Sequence, residues 1–320
     1  MKTLFIILAI VAGIILLTVI MSLLIANVLF KKVIPRQDGV KVNMDEMADA
    51  EKWQEYMKVI QPNKDFMLSL PCEHVTVKSN DGLTLHGDYY PAEKPSDNLV
   101  ICFHGYTSAR MSSCSFAAYM HKLGFDCLLV DNRAHGDSEG EYIGFGILDR
   151  HDCISWIEYV NEKFDSKKNI LLYGVSMGAT TIMMAAADKK IPANVKALVA
   201  DCGFTSPYEV FCHVLKKDYK LSEFPIMNFN NVICRKKAGY GFKDYSTLTA
   251  VKETDKPILF IHGEEDNFVP VWMTKKNYEE CVSDKDILLV PNAAHGASYY
   301  ENPSLYQEKV SEFTGKYFNI

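Results

Sequence analysis

Residues 169–180 read NILLYGVSMGAT. An apolar run of the kind that forms a buried strand stops at Gly174, offers a single serine, and resumes in small residues after Gly178. The segment Gly174-Val175-Ser176-Met177-Gly178 has the spacing G-x-S-x-G, with glycines where a side chain would obstruct a very sharp strand-to-helix turn. Such a turn holds Ser176 outward as a nucleophile. A serine in an ordinary glycine-rich turn fits the same five residues, so the rest of the chain has to decide.

On either side of this stretch the same alternation repeats. The runs NLVICF (98–103), DCLLVD (126–131), NILLYG (169–174), VKALVAD (195–201), PILFIHG (257–263) and DILLVPNA (286–293) are continuously apolar. Helical stretches are predicted between and after them at 109–123, 147–164, 177–188, 271–282 and 303–317. Strands apolar on both faces and separated by helices specify a parallel sheet covered on both sides. Ahead of them, EHVTVKS and LTLHGDYYPA flank Asn80-Asp81-Gly82 with a period of two, which predicts a β-hairpin from Glu73. The fold class is therefore α/β, with a mostly parallel eight-stranded sheet. The connection from 204 to 250 is too long for an ordinary loop and carries Tyr208, Phe211, Leu215, Tyr219, Phe224, Ile226, Met227 and Phe229. It is read as a cap over the carboxyl ends of the strands.

A serine hydroxyl needs a base within hydrogen-bond reach and a carboxylate that orients the base. In a parallel sheet these partners should follow strands at their carboxyl ends. His295 sits just past the last predicted strand, in a loop where Ala293, Ala294 and Gly296 leave room for the ring, and is the candidate base. Two carboxylates satisfy the same rule: Asp266, in the turn after PILFIHG, and Asp201, at the end of VKALVAD.

The order Ser176, acid, His295, together with the elbow, resembles the α/β-hydrolase family. The resemblance runs from about residue 73 to 318. FHGYTS (103–108) is similar to the family's H-G-x loop, DNRAHGDSEG (131–140) to its D-x-R-G-H-G-x-S loop with Ala134 in place of glycine, and HGEEDNFVP (262–270) to its acid turn. The branches that come nearest are the membrane-anchored serine hydrolases: serine aminopeptidase-like, monoacylglycerol lipase-like and depalmitoylase-like. The resemblance implies a Ser176, Asp266, His295 triad that favours Asp266 over Asp201, and an oxyanion hole made by the backbone N–H groups of Tyr106 and Met177. It implies hydrolysis of an acyl ester or thioester without a cofactor. Cleavage of short peptides remains open, because the same triad attacks amides, and so does a non-catalytic binding protein that keeps the fold.

The totals bound the remaining possibilities. A net charge of −6, with no long basic block in the soluble part, argues against nucleic acid as a partner. Leu4 to Phe30 contains no charged residue, and as a helix this run of 27 residues spans about 40 Å, more than the ~30 Å core of a bilayer. Residues 1–32 are therefore expected to form a transmembrane anchor rather than a cleaved signal peptide, whose apolar region is shorter. Lys31, Lys32 and Arg36 on one side against Lys2 on the other favour a cytoplasmic catalytic domain. Nine cysteines without C-x-x-C spacing fit reduced core residues, and there is no H-E-x-x-H motif, paired-cysteine ligand set or P-loop. The expected organisation is an anchor (1–32), a juxtamembrane helical segment (33–70) with Met44, Met47, Trp53, Tyr56, Met57 and Ile60 on one stripe and its end at Pro62, and a hydrolase domain (71–320). The expected partners are the lipid bilayer, through the first helix, and a small-molecule or lipid-like acyl substrate. His104 and His135 are expected to be structural.

Overall fold

The structure, a computed structural model, describes residues 1–37 and 50–319. Eight strands form one sheet: β1 (Glu73–Lys78), β2 (Thr84–Tyr90), β3 (Asn98–Phe103), β4 (Asp126–Val130), β5 (Asn169–Val175), β6 (Val195–Asp201), β7 (Ile258–Gly263) and β8 (Lys285–Val290). Their spatial order is β1-β2-β4-β3-β5-β6-β7-β8, with β1 and β2 antiparallel to their neighbours and the other pairs parallel. This is the α/β-hydrolase fold.

Period two along each strand explains why the central runs are apolar throughout. Leu99, Ile101, Phe103, Ile170 and Leu172 face one core, while Val100, Cys102, Leu171 and Tyr173 face the other. The first core is closed by α4 (Asp149–Lys163) and α5 (Met177–Ala185), the second by α3 (Cys114–Lys122) and α11 (Pro303–Thr314). Seven of the nine cysteines are buried and all are free thiols.

The juxtamembrane helix differs from its expected end. Helix α2 (Ala50–Ser69) carries Pro62 in its interior and runs about two turns beyond it. Proline removes the backbone donor that would meet the Lys58 carbonyl, and beside that gap the Asn63 side chain donates to the Val59 carbonyl (2.9 Å). Burial of Tyr56 and Met67 against the domain, with Tyr56 Oη donating to Glu301 (2.6 Å), holds the helix together across the proline. Met44 and Met47 lie outside the described residues.

Between β6 and β7 stand α6 (Pro207–Tyr219), α7 (Ile226–Ala238) and α8 (Thr247–Glu253). Ser206 caps α6 by accepting from Glu209 N–H (3.1 Å), with Pro207 in the first turn where its missing donor is harmless. Helix α8 packs on α5 and on α9 (Val271–Glu280), so it belongs to the body. The cap is α6 and α7.

Helix α1 (Lys2–Val33) is long and apolar enough to cross a membrane. Its last turns do not stand free: Ser22, Ala26 and Phe30, spaced four apart, are buried along α7, and Lys237 lies over the Phe30 ring at 5.3 Å. The chain beyond is strapped to the loop after β4. Ile143 N–H donates to Ile34 O (2.8 Å), Arg36 N–H to Glu141 O (2.8 Å), and the Arg36 guanidinium to the carbonyls of Gly136 and Ser138.

Candidate active site

Strand register brings the carboxyl ends together. Phe103 pairs with Gly174, Val175 with Asp201, Asp201 with Ile261, and Gly263 with Val290. The loops that follow β3, β5, β7 and β8 therefore open on one rim, and each carries a candidate residue.

At the elbow, Ser176 has φ 55° and ψ −113°, a backbone conformation that L-residues rarely adopt. The two glycines of the motif allow it. A Cβ on Gly174 would lie 2.3 Å from the Gly178 carbonyl carbon, and a Cβ on Gly178 would lie 2.1 Å from the Phe103 oxygen. The turn is thus packed into the end of β3, and Ser176, only 5% exposed, is held at the head of α5.

Ser176 Oγ lies 2.9 Å from His295 Nε2, and His295 Nδ1 lies 2.6 Å from Asp266 Oδ2. A carboxylate only accepts, so Nδ1 carries the proton, and Nε2 presents its lone pair to the serine hydroxyl. Asp266 is buried, and its other oxygen accepts the backbone N–H groups of Phe268 (2.9 Å) and Val269 (2.8 Å). Burial alone would push this carboxyl up. The attraction of the His295 ring when it is protonated and the hydrogen bonds from His262 and His295 outweigh it and hold Asp266 well below the usual carboxylate range.

Asp201 goes elsewhere. It is buried, accepts from Tyr306 Oη (3.0 Å) and Ser298 Oγ (3.3 Å), and burial pushes its carboxyl up. Its backbone carbonyl accepts Ser176 N–H (2.7 Å), so it supports the elbow rather than the imidazole.

Met177 adjoins the serine in the chain, and Tyr106 follows a residue that packs against it. Met177 opens α5, where a helix leaves its first N–H groups without intrahelical acceptors. Tyr106 follows Gly105, whose added Cβ would lie 3.5 Å from Ser176 Cβ. Among the described residues neither backbone N–H finds an acceptor, so both donors stay available.

His104 and His135 hold the loops. His104 Nδ1 donates to Gly105 O (2.7 Å) while Nε2 accepts from Asn132 N–H (3.0 Å), and burial pushes its pKa down to about 3. His135 donates from Nδ1 to Arg133 O (2.9 Å) and accepts from Thr107 N–H (3.2 Å). Both positions require a neutral ring.

Sequence reasoning passed over one neighbour of the site, His262. His262 Nε2 lies 3.1 Å from Asp266 Oδ2 and 2.8 Å from Val269 O, and its Nδ1 pairs with Thr274 Oγ1 (2.7 Å). It fixes the carboxylate from behind, and the signal was present as the first residue of HGEEDNFVP. Cys202, with φ 46°, lies beside Asp266 and His295; among the described residues these three form the one trio spaced like metal ligands. Asp266 and His295 are already bonded to each other, so the trio belongs to the rim described above.

Residues 115–320, nearly two-thirds of the chain, match the model of the prolyl oligopeptidase family. The chain belongs to the prolyl oligopeptidase family. The chain is 28% identical over 225 residues to the uncharacterized protein YqkD of Bacillus subtilis, covering 70% of this chain and 73% of YqkD. It is 22% identical over 214 residues to the lysophosphatidylserine lipase ABHD12 of Danio rerio, covering 62% of this chain and 51% of the lipase. The solved esterase Pf2001 of Pyrococcus furiosus superposes with a TM-score of 0.64 at 24% identity, covering 79% of this chain and 95% of that one, a likeness of fold. Family and fold make the chain an α/β-hydrolase.

Proposed function

We propose that the chain is a membrane-anchored serine hydrolase that cleaves an acyl ester or thioester. The observation that carries the reading is the unbroken relay from Ser176 Oγ through His295 to Asp266. His295 Nε2 takes the hydroxyl proton as Ser176 Oγ attacks the acyl carbonyl. The carbonyl electron pair moves to oxygen, where the N–H groups of Tyr106 and Met177 receive it, each worth about 2.7–4 kcal/mol of barrier in comparable sites. The imidazolium, held by Asp266, then protonates the leaving group as its bond to carbon breaks. Water attacks the acyl-serine by the same route in reverse and frees the acid.

Ester cleavage is preferred because the cap presents aromatic and aliphatic side chains and α1 would set the site beside a bilayer. The lipase named among the relatives supports the same choice. The family's name keeps short peptides as a second reading, since the relay attacks amides too. Lys31 and Lys32 in the last turn of α1 and Arg36 beyond it, against Lys2 at the other end, support a catalytic domain on the cytoplasmic side of the cell membrane.

The test is full-length protein in membranes, labelled with a fluorophosphonate probe and assayed on acyl esters of graded length alongside aminoacyl amides. Ser176→Ala should abolish labelling and lower turnover roughly 10⁶-fold. Labelling that persists in this variant means another nucleophile, and turnover of amides alone means a peptidase.

A further inference from the structure

We propose that the cavity enclosed by the end of α1 and the two cap helices is a hydrocarbon-chain subsite, and that its occupant is the acyl chain of a lipid drawn from the bilayer. The inference rests on the reading of Ser176 as an acyl hydrolase nucleophile and adds to it the substrate class and the route of entry.

The cavity measures about 70 Å³, and because a water needs about 10–15 Å³ of such space it has room for roughly five waters or as many methylenes. Its walls come from three elements: Leu29 and Val33 of α1, Phe211 and Leu215 of α6, and Met227 and Asn230 of α7. A space lined almost wholly by hydrocarbon excludes charged or strongly hydrated ligands and accepts an aliphatic chain.

A run of packed aromatic rings connects its wall to the rim. The ring of Tyr106, the residue that offers an N–H beside Ser176, lies 5.2 Å from Phe145; Phe145 lies 4.8 Å from Phe211, and Phe211 lies 4.9 Å from Phe242, which lines the cavity. Tyr106 Oη donates to Val33 O (3.1 Å), so the same residue touches the rim and the last turn of the anchor. The occupant follows from the wall. Leu29 belongs to the uncharged run that ends at Phe30, and Val33 follows one turn on, past Lys31 and Lys32; the preceding turns expose Leu24 and Val28, and the cap beside them exposes Phe224 (72%) and Val232 (49%). A helix that crosses the bilayer carries this apolar rim to the membrane surface, where a chain passes from lipid to cavity without crossing water.

Two substitutions should act in opposite directions. Leu29→Trp fills the cavity from the anchor side. Asn230→Leu replaces a side chain whose buried Oδ1 has no partner, making the wall more apolar with little change of size. The measurement is kcat/KM of full-length enzyme in nanodiscs on acetyl, octanoyl and hexadecanoyl p-nitrophenyl esters, with thermal melts. Each buried methylene is worth about fourfold, so Leu29→Trp should lower the hexadecanoyl-to-acetyl ratio by at least about tenfold and Asn230→Leu should raise it by about twofold or more. Ratios unchanged in both variants, or moved in the same direction, overturn the subsite.

A second measurement needs no turnover and no cavity variant. A diazirine-bearing hexadecanoic acid, photolysed on the Ser176→Ala protein in nanodiscs, should mark peptides from 26–34, 207–219 and 226–238, and marking confined to other parts of the soluble domain overturns the proposal. Failure of the hydrolase reading shows itself separately, as no Ser176-dependent turnover of any ester in the series.

Discussion

At the sheet rim Asp266 accepts from two backbone N–H groups and two imidazoles, while in the cap the buried Oδ1 of Asn230 accepts from nothing among the described residues. The rim is built around polar groups whose partners are fixed by strand register and by glycines that admit no side chain. The cap is built from apolar side chains on two helices and leans on a third element, the end of α1. A site that stabilises developing charge needs dipoles aimed in advance, because reorienting them during reaction costs barrier height. A surface that takes a chain needs only shape and apolar area. On the proposed reading the contrast separates where bonds would be broken from where substrates would be chosen, and it can be attacked from either side.

The largest effect should come from the rim carboxylates. Asp266→Asn keeps the side chain's shape but favours the wrong tautomer of His295, and in analogous sites this lowers turnover about 10⁴-fold. Asp201→Asn should leave turnover within a small factor and instead cost stability of about 1 kcal/mol per weakened bond to Tyr306 or Ser298. Turnover of both purified variants on one ester, with thermal melts, decides it. An inactive Asp201→Asn beside a near-normal Asp266→Asn removes Asp266 from the relay.

The rim was also the more legible region. The spacing of Gly174, Ser176 and Gly178 reports a steric constraint that the structure shows directly at 2.3 and 2.1 Å, and the strands on either side are short, continuously apolar runs that alternate with helical stretches. Asp201 and Asp266 were equivalent by position alone, because both follow strands; only side-chain direction separates them, and the family pattern supplied that choice. The cap was visible as length and aromatic content, but its edge was not. Thr247 is tied to Asn277 (2.6 Å) and to the Phe204 and Thr205 carbonyls, tertiary contacts that pull α8 into the body. Helix α2 outlasted Pro62 for the same kind of reason, a buried apolar face that local sequence does not report.

A second prediction concerns the loops that hold the rim. His104 has a pKa of about 3 in the folded chain against an ordinary value of 6.5, caused first by burial and then by His135, whose ring lies 5.0 Å away. Between these values the unfolded chain binds the extra proton, so stability rises with pH across the window and is lost as pH falls from 6.5 toward 3. The loss attributable to this residue is on the order of several kcal/mol. Urea midpoints between pH 7 and about 4 should fall steeply for the wild type and less steeply for His104→Gln, whose amide can still accept from Asn132 N–H. Equal slopes in the two proteins would remove His104 as the source.

The smallest effect tests whether rim and cap are as separate as the comparison claims. Ala134 stands in the loop after β4 where the family resemblance has glycine, and its φ of 57° lies in the left-handed region. An L-residue pays about 1–2 kcal/mol there. Ala134→Gly relieves that strain but adds about 0.5–1 kcal/mol of unfolded-state freedom and removes a buried methyl worth about 0.8 kcal/mol. These contributions nearly cancel, so the melting temperature should move by no more than a few degrees, about the equivalent of 1 kcal/mol. The methyl, however, packs in the apolar cluster shared by the cap and the end of α1, with Phe30, Ile34 and Phe145. A loss well above 1 kcal/mol in Ala134→Gly would mean that this cluster, rather than the local turn, sets the loop's conformation. Filling the cavity at Leu29 should then disturb the rim as well, and turnover of even the acetyl ester should fall in proportion to the lost stability.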